Sequence, residues 1–371
     1  MGCSHRSLSS PGVSAHSYGN QEFRIGDRPV GPGHPCYVIA EAGSNHNRDL
    51  DTAFRLIDAA AEAGADAVKF QTYTAEGLYS RRTPDMSYLK DQRLVGERES
   101  VWDLIKRVEI PWEWHGDLAA HAREAGIVFL STPFQEEAID LLDEIGVPAF
   151  KIASYEVNHL PLIERAARTG KPLLISTGMA SLGDIERALD TATAVGARDL
   201  MVMHCAVNYP PRFDDLNLRA IPTLRAAFQI PIGWSDHTRG HTADVVAVAL
   251  GACAVEKHFT LSRNQEGPDH PFALEPDELK DMVQAIRETE ASLGSSVKRV
   301  TKAEAEMFRL GRRSIVVSRN VAAGAALTRA DLAIKRPGFG IPVHDLDQVV
   351  GRHVTRSLEE DEVLQWDDLV R

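Results

Sequence analysis

A short apolar run followed by a longer stretch of helical periodicity recurs along residues 35–294. The apolar runs have the length of buried strands, and stretches such as LDTAFRLIDAAAEAG end at a glycine, as helices commonly do. The eight runs are CYVIAEAG, DAVKFQT, IVFLSTP, AFKIASYE, PLLISTG, DLMVMHCAV, IPIGWSD and CAVEKHFT. The pattern predicts eight βα units with parallel strands.

Eight parallel βα units in roughly 250 residues are typical of a TIM (β/α)8 barrel. A doubly wound open sheet is the alternative, and it would be expected to carry a glycine-rich phosphate fingerprint after its first strand. The segment GSNHNRDLD, which follows the first predicted strand, has no GxGxxG. We therefore expect a barrel.

The pattern changes after the last predicted helix. Residues 295–311 are polar and predict a linker, and residues 312–371 have short runs and many turns, which predicts a compact module. A module of about 60 residues is near the limit of independent folding. We expect a disordered tail at residues 1–20 and the barrel domain at residues 21–294.

One connection in the predicted barrel is unusually long. Residues 83–108, between the second strand and its helix, form a segment that is long and highly charged for a βα connection. An excursion at the carboxyl end of a barrel strand could cover a site, or it could be a simple insertion.

Composition limits the classes of partner and the compartment. The formal net charge of −12 disfavours nucleic acid and anionic membranes, although it permits a small anionic substrate. The four cysteines form no CxxC pair or secreted-type framework, which favours a reducing cytoplasm. No run is long and apolar enough to predict a membrane span.

Polar residues follow all eight predicted strands, where the chemistry of a TIM barrel is carried. A single such residue would usually be a turn or cap residue, but eight sets around one rim favour an active site. The residues include Glu41, Lys69, Gln71, Thr132, Lys151, Ser154, Ser176, Tyr209, Ser235, His237, Glu256 and His258.

Two lysines interrupt apolar runs, where an unpaired ammonium group is costly. Lys69 and Lys151 could each form a structural pair with Glu41 or Glu256. Alternatively, they could converge with hydroxyl groups on a small dianion that carries phosphate and carboxylate. We favour the anion site.

Two histidines follow neighbouring predicted strands. His237 and His258 could orient their neighbours without a metal, or they could hold a divalent cation together. Glu256 precedes His258 by two residues and so points to the same strand face. Nitrogen and oxygen ligands suit Mn²⁺ or Mg²⁺, whereas structural zinc would be expected to use cysteine.

With these residues placed, the chain resembles the sialic acid synthase family, which includes N-acetylneuraminate, pseudaminate and legionaminate synthases. The resemblance runs from about Pro35 to the C-terminus, and the final module resembles the family's SAF (antifreeze-like, β-clip type) domain through RRSIVVSRNVAAG and RPGFGI. The barrel motifs are AEAGSNHN, GADAVKFQTY, FLSTPF, KIASYE, LLISTGM, NLRAIPTL, GWSDHT, VEKHFT and GPDHPFALEP.

The resemblance implies a transferase that condenses phosphoenolpyruvate with an N-acetylated hexosamine, commonly N-acetylmannosamine, and releases phosphate by C–O cleavage. It implies Mn²⁺ on His237 and His258, with Mg²⁺ or Co²⁺ as alternatives, and catalytic roles for Glu41, Lys69, Glu256 and Asp269. The substrate-binding residues it implies are Gln71, Thr132, Lys151, Ser154, Ser176, Tyr209, Ser235 and Arg336.

Arg336 resembles an arginine that reaches from the SAF domain into the barrel of a partner subunit, which implies a domain-swapped homodimer. One segment departs from the family pattern, because CAVNYP replaces a CTSAYP-like sequence and places Ala206 and Val207 where relatives carry polar or hydroxyl groups. The resemblance places this segment beside the sugar, so the acceptor stays open.

Three alternatives to an N-acetylneuraminate synthase therefore stand. The acceptor could be a 2,4-diacetamido sugar, as in pseudaminate and legionaminate synthases. It could be a sugar phosphate, for which Arg81, Arg82 and Arg212 are candidate contacts. The chain could also be a catalytically silent carbohydrate-binding or coat protein, although the retained lysines, histidines and Glu256 argue against this.

Overall fold

The computed structural model describes residues 18–84 and 100–370. These residues form two compact units, with the boundary between Gly294 and Ser295. Within the described residues, no helix has the length and apolar character that crossing a membrane requires.

Eight parallel strands form the centre of the first unit, as the sequence predicts. They are β3 (Tyr37–Gly43), β4 (Ala67–Thr72), β5 (Val128–Pro133), β6 (Phe150–Ile152), β7 (Leu173–Ser176), β8 (Leu200–Cys205), β9 (Ile232–Asp236) and β10 (Ala254–His258), and they follow a short hairpin of β1 (Phe23–Ile25) and β2 (Arg28–Val30). The last barrel strand pairs with the first, and β5 and β6 are neighbours without a hydrogen-bonded ladder. The prediction of a TIM barrel is confirmed.

Helices alternate with the barrel strands. Capping fixes several of their ends: Ser181 and Asp184 form a reciprocal capping box, and Gly146 ends another helix in the left-handed conformation that glycine adopts without strain. The helices are Leu50–Glu62, Ala75–Leu78, Val101–Val108, His115–Glu124, Glu136–Ile145, Leu160–Arg168, Leu182–Ala194, Ala220–Phe228, Thr242–Ala249 and Pro276–Leu293.

The barrel interior has an apolar lower half and a charged upper half. Side chains alternate across a strand, so that Tyr37, Ile39 and Glu41 of β3 face inward while Val38 and Ala40 pack against the helices. The β1–β2 hairpin packs against the apolar lower half. The cost of burying charge is therefore confined to the carboxyl ends of the strands.

The second unit has its own small core. β11 (Ser314–Val317) and β12 (Leu332–Lys335) pair antiparallel, and short helices span Ala305–Leu310 and Leu346–Val349. Buried aliphatic residues from both strands and the following turns pack together. The helix Ala305–Leu310 lies in the segment predicted to be a linker.

Two further predicted segments fall partly on described residues. Residues 1–17 of the predicted tail lie outside them, whereas Tyr18 packs edge-on against Phe228 and Asn20 contacts Asp199. Residues 85–99 of the long connection also lie outside them, and its described end forms the helix Val101–Val108.

Candidate active site

A cavity of about 400 Å³ opens at the carboxyl ends of the barrel strands, which is within the usual size range of small-molecule sites. It brings together every site residue predicted in the barrel. These are Glu41, Lys69, Gln71, Thr132, Lys151, Ser154, Ser176, Tyr209, Ser235, His237, Glu256, His258 and Asp269.

Lys69 lies at the centre of the polar contacts on one side of the cavity. Its Nζ lies 2.6 Å from Oε2 of Glu41 and donates to the hydroxyl of Thr132 at 2.9 Å. Gln71 donates to the other oxygen of Glu41 at 2.7 Å. Burial alone would lower the pKa of Lys69, but the carboxylates of Glu256 and Glu41 raise it, so the ammonium form is retained.

Lys151 and Glu256 form a second buried contact. The Lys151 Nζ lies 3.2 Å from Oε1 of Glu256, which also accepts from the Ser235 hydroxyl at 3.3 Å. Burial would raise the pKa of Glu256, but Lys151 and Lys69 together hold it below its usual range. Burial lowers the pKa of Lys151. The two lysines and two glutamates thus form one charge-balanced network.

Two imidazoles lie side by side where β9 and β10 end. The ring centroids of His237 and His258 are 5.2 Å apart, and Tyr209 packs over His237 with its centroid at 4.4 Å. Burial, and then the neighbouring His258, lower the pKa of His237 to about 4, so its ring is neutral. The Nδ1 of His237 lies 3.2 Å from the carbonyl oxygen of Ala206. A proton on Nδ1 would leave Nε2 with a free lone pair.

Asp269 approaches His258 from the loop after β10. Its Oδ2 lies 3.5 Å from Nδ1 of His258. Burial lowers the pKa of His258, but the Asp269 carboxylate more than offsets this and the pKa is raised. Gly43 permits the approach: its φ is +52°, and a Cβ there would lie 3.0 Å from Oδ2 of Asp269.

The two histidines could hold a metal ion with open coordination positions. No group of three or more His, Cys, Asp or Glu side chains suited to a metal occurs in residues 18–84 and 100–370. Two imidazoles without further protein ligands fit a cation that takes its remaining ligands from substrate and water. They do not fit a closed structural site.

An apolar wall completes the cavity. Val101, Leu104 and Val108 face it from the helix Val101–Val108, and Tyr79 packs with them. The long connection after β4 therefore contributes to the cavity. This agrees with the interpretation that it covers a site, rather than being a simple insertion.

Some polar residues at the strand ends face away from the cavity because side chains alternate along a strand. Asp236 pairs with Lys257 at 2.5 Å, and Lys257 also donates to the carbonyl oxygen of Thr238. Ser131 bonds with Thr72 at 2.7 Å on the helix side of the barrel. These contacts tie strands and helices together.

Several cavity residues were missed by the sequence analysis. Glu156 lies two residues beyond Ser154 in KIASYE, but both belong to a 3₁₀ turn, so the alternation of a strand gave no signal for it. Tyr73 follows Gln71 at the same spacing, and Tyr155 also lines the cavity.

The predicted contacts of a phosphorylated acceptor lie elsewhere. Arg81 stacks on the Trp102 ring at 3.7 Å, and Arg212 is exposed beside Asp214. None of Arg81, Arg82 and Arg212 is among the described residues that line the cavity. Arg336 belongs to the second unit, is exposed, and donates from Nε to the carbonyl oxygen of Gly311 at 2.7 Å. Its expected role in a partner's site stays a prediction.

The fold and the cavity together define a TIM-barrel protein with a cavity lined by buried lysines, carboxylates and two histidines, and a small C-terminal module. Residues 56–298 match the model of the NeuB family and residues 312–370 match the SAF domain. The chain belongs to the NeuB family and carries a SAF domain. The resemblance inferred from the motifs is confirmed.

Individual relatives support the assignment. The chain is 39% identical over 330 residues to N,N'-diacetyllegionaminic acid synthase of Campylobacter jejuni, covering 88% of this chain and 98% of that protein. A solved spore coat polysaccharide biosynthesis protein of Bacillus subtilis shares 40% identity with a TM-score of 0.64, covering 94% and 99% of the two chains. The N-acetylneuraminic acid synthetase of Leptospira borgpetersenii, solved with citrate, shares 35% identity with a TM-score of 0.69, covering 78% and 96%.

Proposed function

We propose that the protein is a nonulosonate synthase, which condenses phosphoenolpyruvate with an unphosphorylated N-acetylated hexosamine. The observation that carries this proposal is the convergence of two buried lysine–glutamate contacts, the unpartnered Ser176 hydroxyl and two imidazoles among the described residues that line one cavity of a NeuB-family barrel. N-acetylmannosamine is the expected acceptor, as the resemblance implies.

Phosphoenolpyruvate suits the lysine side of the cavity. Lys69 and Lys151 offer ammonium N–H donors, and the buried Ser176 hydroxyl has no hydrogen-bond partner among the described residues. Phosphate and carboxylate are acceptors only, so they suit such donors. Holding the enol phosphate here would leave its C3 free to attack an aldehyde bound in the same cavity.

In the proposed reaction, C3 of phosphoenolpyruvate forms a bond to the aldehyde carbon of the open-chain sugar, and the aldehyde oxygen becomes a hydroxyl. Water adds at C2, and the C2–O bond breaks to release phosphate. His237 and His258 would hold Mn²⁺, or Mg²⁺ or Co²⁺, whose chemistry is to polarise the aldehyde. Glu41 and Asp269 flank that position and would orient the sugar hydroxyls.

The apolar wall favours a second acceptor. Val101, Leu104 and Val108 offer no hydrogen bonds, and burying a hydroxyl against them would be unfavourable. A 2,4-diacetamido sugar would instead present the methyl groups of its acetamido substituents. The similarity of this chain to N,N'-diacetyllegionaminic acid synthase supports a 2,4-diacetamido sugar as the acceptor.

A substrate panel tests both acceptors. The protein would be incubated with phosphoenolpyruvate, Mn²⁺ and one sugar at a time, and phosphate release and product mass would be measured. The sugars are N-acetylmannosamine, its 6-phosphate and a 2,4-diacetamido sugar. Phosphate release with the 6-phosphate and with neither of the other sugars would contradict an unphosphorylated acceptor. If none of the three sugars leads to phosphate release, a catalytically silent carbohydrate-binding protein is favoured.

A further inference from the structure

Glu156 is a cavity carboxyl group that the mechanism above does not use. Glu156 is the last residue of the 3₁₀ turn Ser154–Glu156, which follows β6, and only 8% of its surface is exposed. Its side chain lines the cavity, and its Oε2 has no hydrogen-bond partner in the described part of the chain. A buried polar atom without a partner calls for an explanation.

The contacts of the other cavity carboxylates distinguish Glu156. Glu41 lies beside Lys69, Glu256 beside Lys151, and Asp269 beside His258. Glu156 has no ion pair within 4 Å among residues 18–84 and 100–370. Glu156 therefore faces the cavity without a counter-charge of its own.

A buried carboxyl group without a partner favours its neutral form. Burial raises the pKa of Glu156 to about 8, against the opposing effect of Lys151. At neutral pH the group is a carboxylic acid, whose O–H can donate a hydrogen bond.

The part of the cavity around Lys69 and Lys151, where phosphoenolpyruvate is proposed to bind, needs such donors. The charges of Lys69 and Lys151 are already balanced by Glu41 and Glu256. The donors still available there include the Ser176 hydroxyl, on the strand next to β6. An ionised Glu156 would repel an incoming phosphate or carboxylate group.

We propose that Glu156, in its carboxylic acid form, binds phosphoenolpyruvate by donating a hydrogen bond to one of its anionic groups. The proposal rests on the proposed function, since it assigns a further residue to the same site. Ionisation of Glu156 then weakens binding of the substrate, and the affinity for phosphoenolpyruvate falls as the pH rises through about 8.

Other titratable groups face Glu156 and must be separated from it. Burial raises the pKa of Tyr155 to about 12 and raises that of Tyr79, so both stay neutral between pH 7 and pH 9. The second proton of a phosphate monoester is lost near pH 6, below this window. Lys151 is the competing group, because burial lowers its pKa.

Calorimetry of phosphoenolpyruvate binding to the full chain at pH 7, 8 and 9 tests the proposal. We expect the dissociation constant of the unchanged protein to rise about tenfold from pH 7 to pH 9, as follows from one proton with a pKa near 8. Glu156→Gln keeps an N–H donor that cannot ionise, so it should bind at pH 7 within a few-fold of the unchanged protein and show no such rise. Glu144→Gln, an exposed carboxyl on a barrel helix, should behave as the unchanged protein.

The outcomes separate the two proposals. Equal pH dependence in the unchanged protein and Glu156→Gln would overturn the role of Glu156 and implicate Lys151. The binding role would also be overturned if Glu156→Gln bound phosphoenolpyruvate like the unchanged protein at every pH but lost most of its turnover. That result would indicate that Glu156 transfers a proton instead. If the unchanged protein binds no phosphoenolpyruvate at any pH, the proposed function itself fails, and the role of Glu156 fails with it.

Discussion

The Nζ of Lys69 lies 2.6 Å from Oε2 of Glu41, and both side chains are almost completely buried. Removing one member of a buried ion pair leaves the other charge uncompensated in the interior, which is far more costly than removing both. The pair therefore belongs to the cavity and also supports the folded state around it.

We expect Lys69→Met to lower the free energy of unfolding by about 3–5 kcal/mol, because Glu41 then loses its nearest counter-charge. The double variant Lys69→Met/Glu41→Gln should recover most of that loss while still failing to bind phosphoenolpyruvate. Urea unfolding and calorimetry measure the two properties. Arg168→Met, which removes an exposed pair with Glu164, should change stability little. If the double variant were as unstable as Lys69→Met, the loss of stability would not come from the unpaired charge of Glu41.

If His237 is a metal ligand, His237→Ala should weaken Mn²⁺ binding without unfolding the barrel, because the ring is neutral and its hydrogen-bond contacts are the Ala206 carbonyl group and the Cys205 thiol. Electron paramagnetic resonance of free Mn²⁺ measures binding directly, without turnover. We expect affinity to fall at least about tenfold, the scale on which even outer partners of a metal site act. His121→Ala, which removes a contact with Asp58 on an outer helix, is the control. Unchanged Mn²⁺ binding in His237→Ala would rule out the ligand role.

Gly43→Ala should impair the sugar side of the cavity. Its φ of +52° disfavours a side chain by about 1–2 kcal/mol, and the new methyl group would lie 3.0 Å from Oδ2 of Asp269 and 3.3 Å from Oε1 of Glu41. We expect a raised KM for the sugar and a smaller change in the KM for phosphoenolpyruvate. Gly116→Ala, whose methyl group would meet no atom within 4 Å, should leave both unchanged. Equal effects on both substrates would indicate general distortion instead.

Arg336 can be tested by subunit complementation. If Arg336 acts in the barrel of a partner subunit, Arg336→Ala and His237→Ala should each be inactive alone, yet co-expression should restore about a quarter of the activity. Half of randomly assembled dimers are mixed, and each mixed dimer has one intact site of two. The homodimers, purified separately and assayed unmixed, are the control. No recovery in purified mixed dimers would contradict a role in trans.

Much of the barrel and its site follows from local rules. Lys69 and Lys151 stand out in apolar runs, and the period-two alternation then places Gln71 on the same face as Lys69. The same alternation would have placed Asp236, next to Ser235, on the outer face with Lys257. The structural pair and the anion site were posed as alternatives, but both lysines contact glutamates inside the cavity.

Other features depend on contacts that a local pattern does not contain. The position of Glu156 follows from a 3₁₀ turn that interrupts the alternation after β6. The apolar wall requires the helix Val101–Val108 to lie over residues distant in the chain, and that is a matter of tertiary packing. Such contacts follow from the assembled fold.

The pH dependence of stability tests the state of Glu156 independently of any substrate. In the unfolded chain this carboxyl group has a pKa of about 4.3, whereas burial raises its pKa to about 8 in the folded protein. Between these values the unfolded state gives up a proton that the folded state keeps, so the group makes the free energy of unfolding fall as the pH rises. Glu156→Gln should therefore become increasingly more stable than the unchanged protein from pH 4 to pH 8, by at most about 5 kcal/mol. Urea unfolding of both proteins and of Glu144→Gln across this range measures the difference, and parallel curves for all three would show that Glu156 ionises normally in the fold.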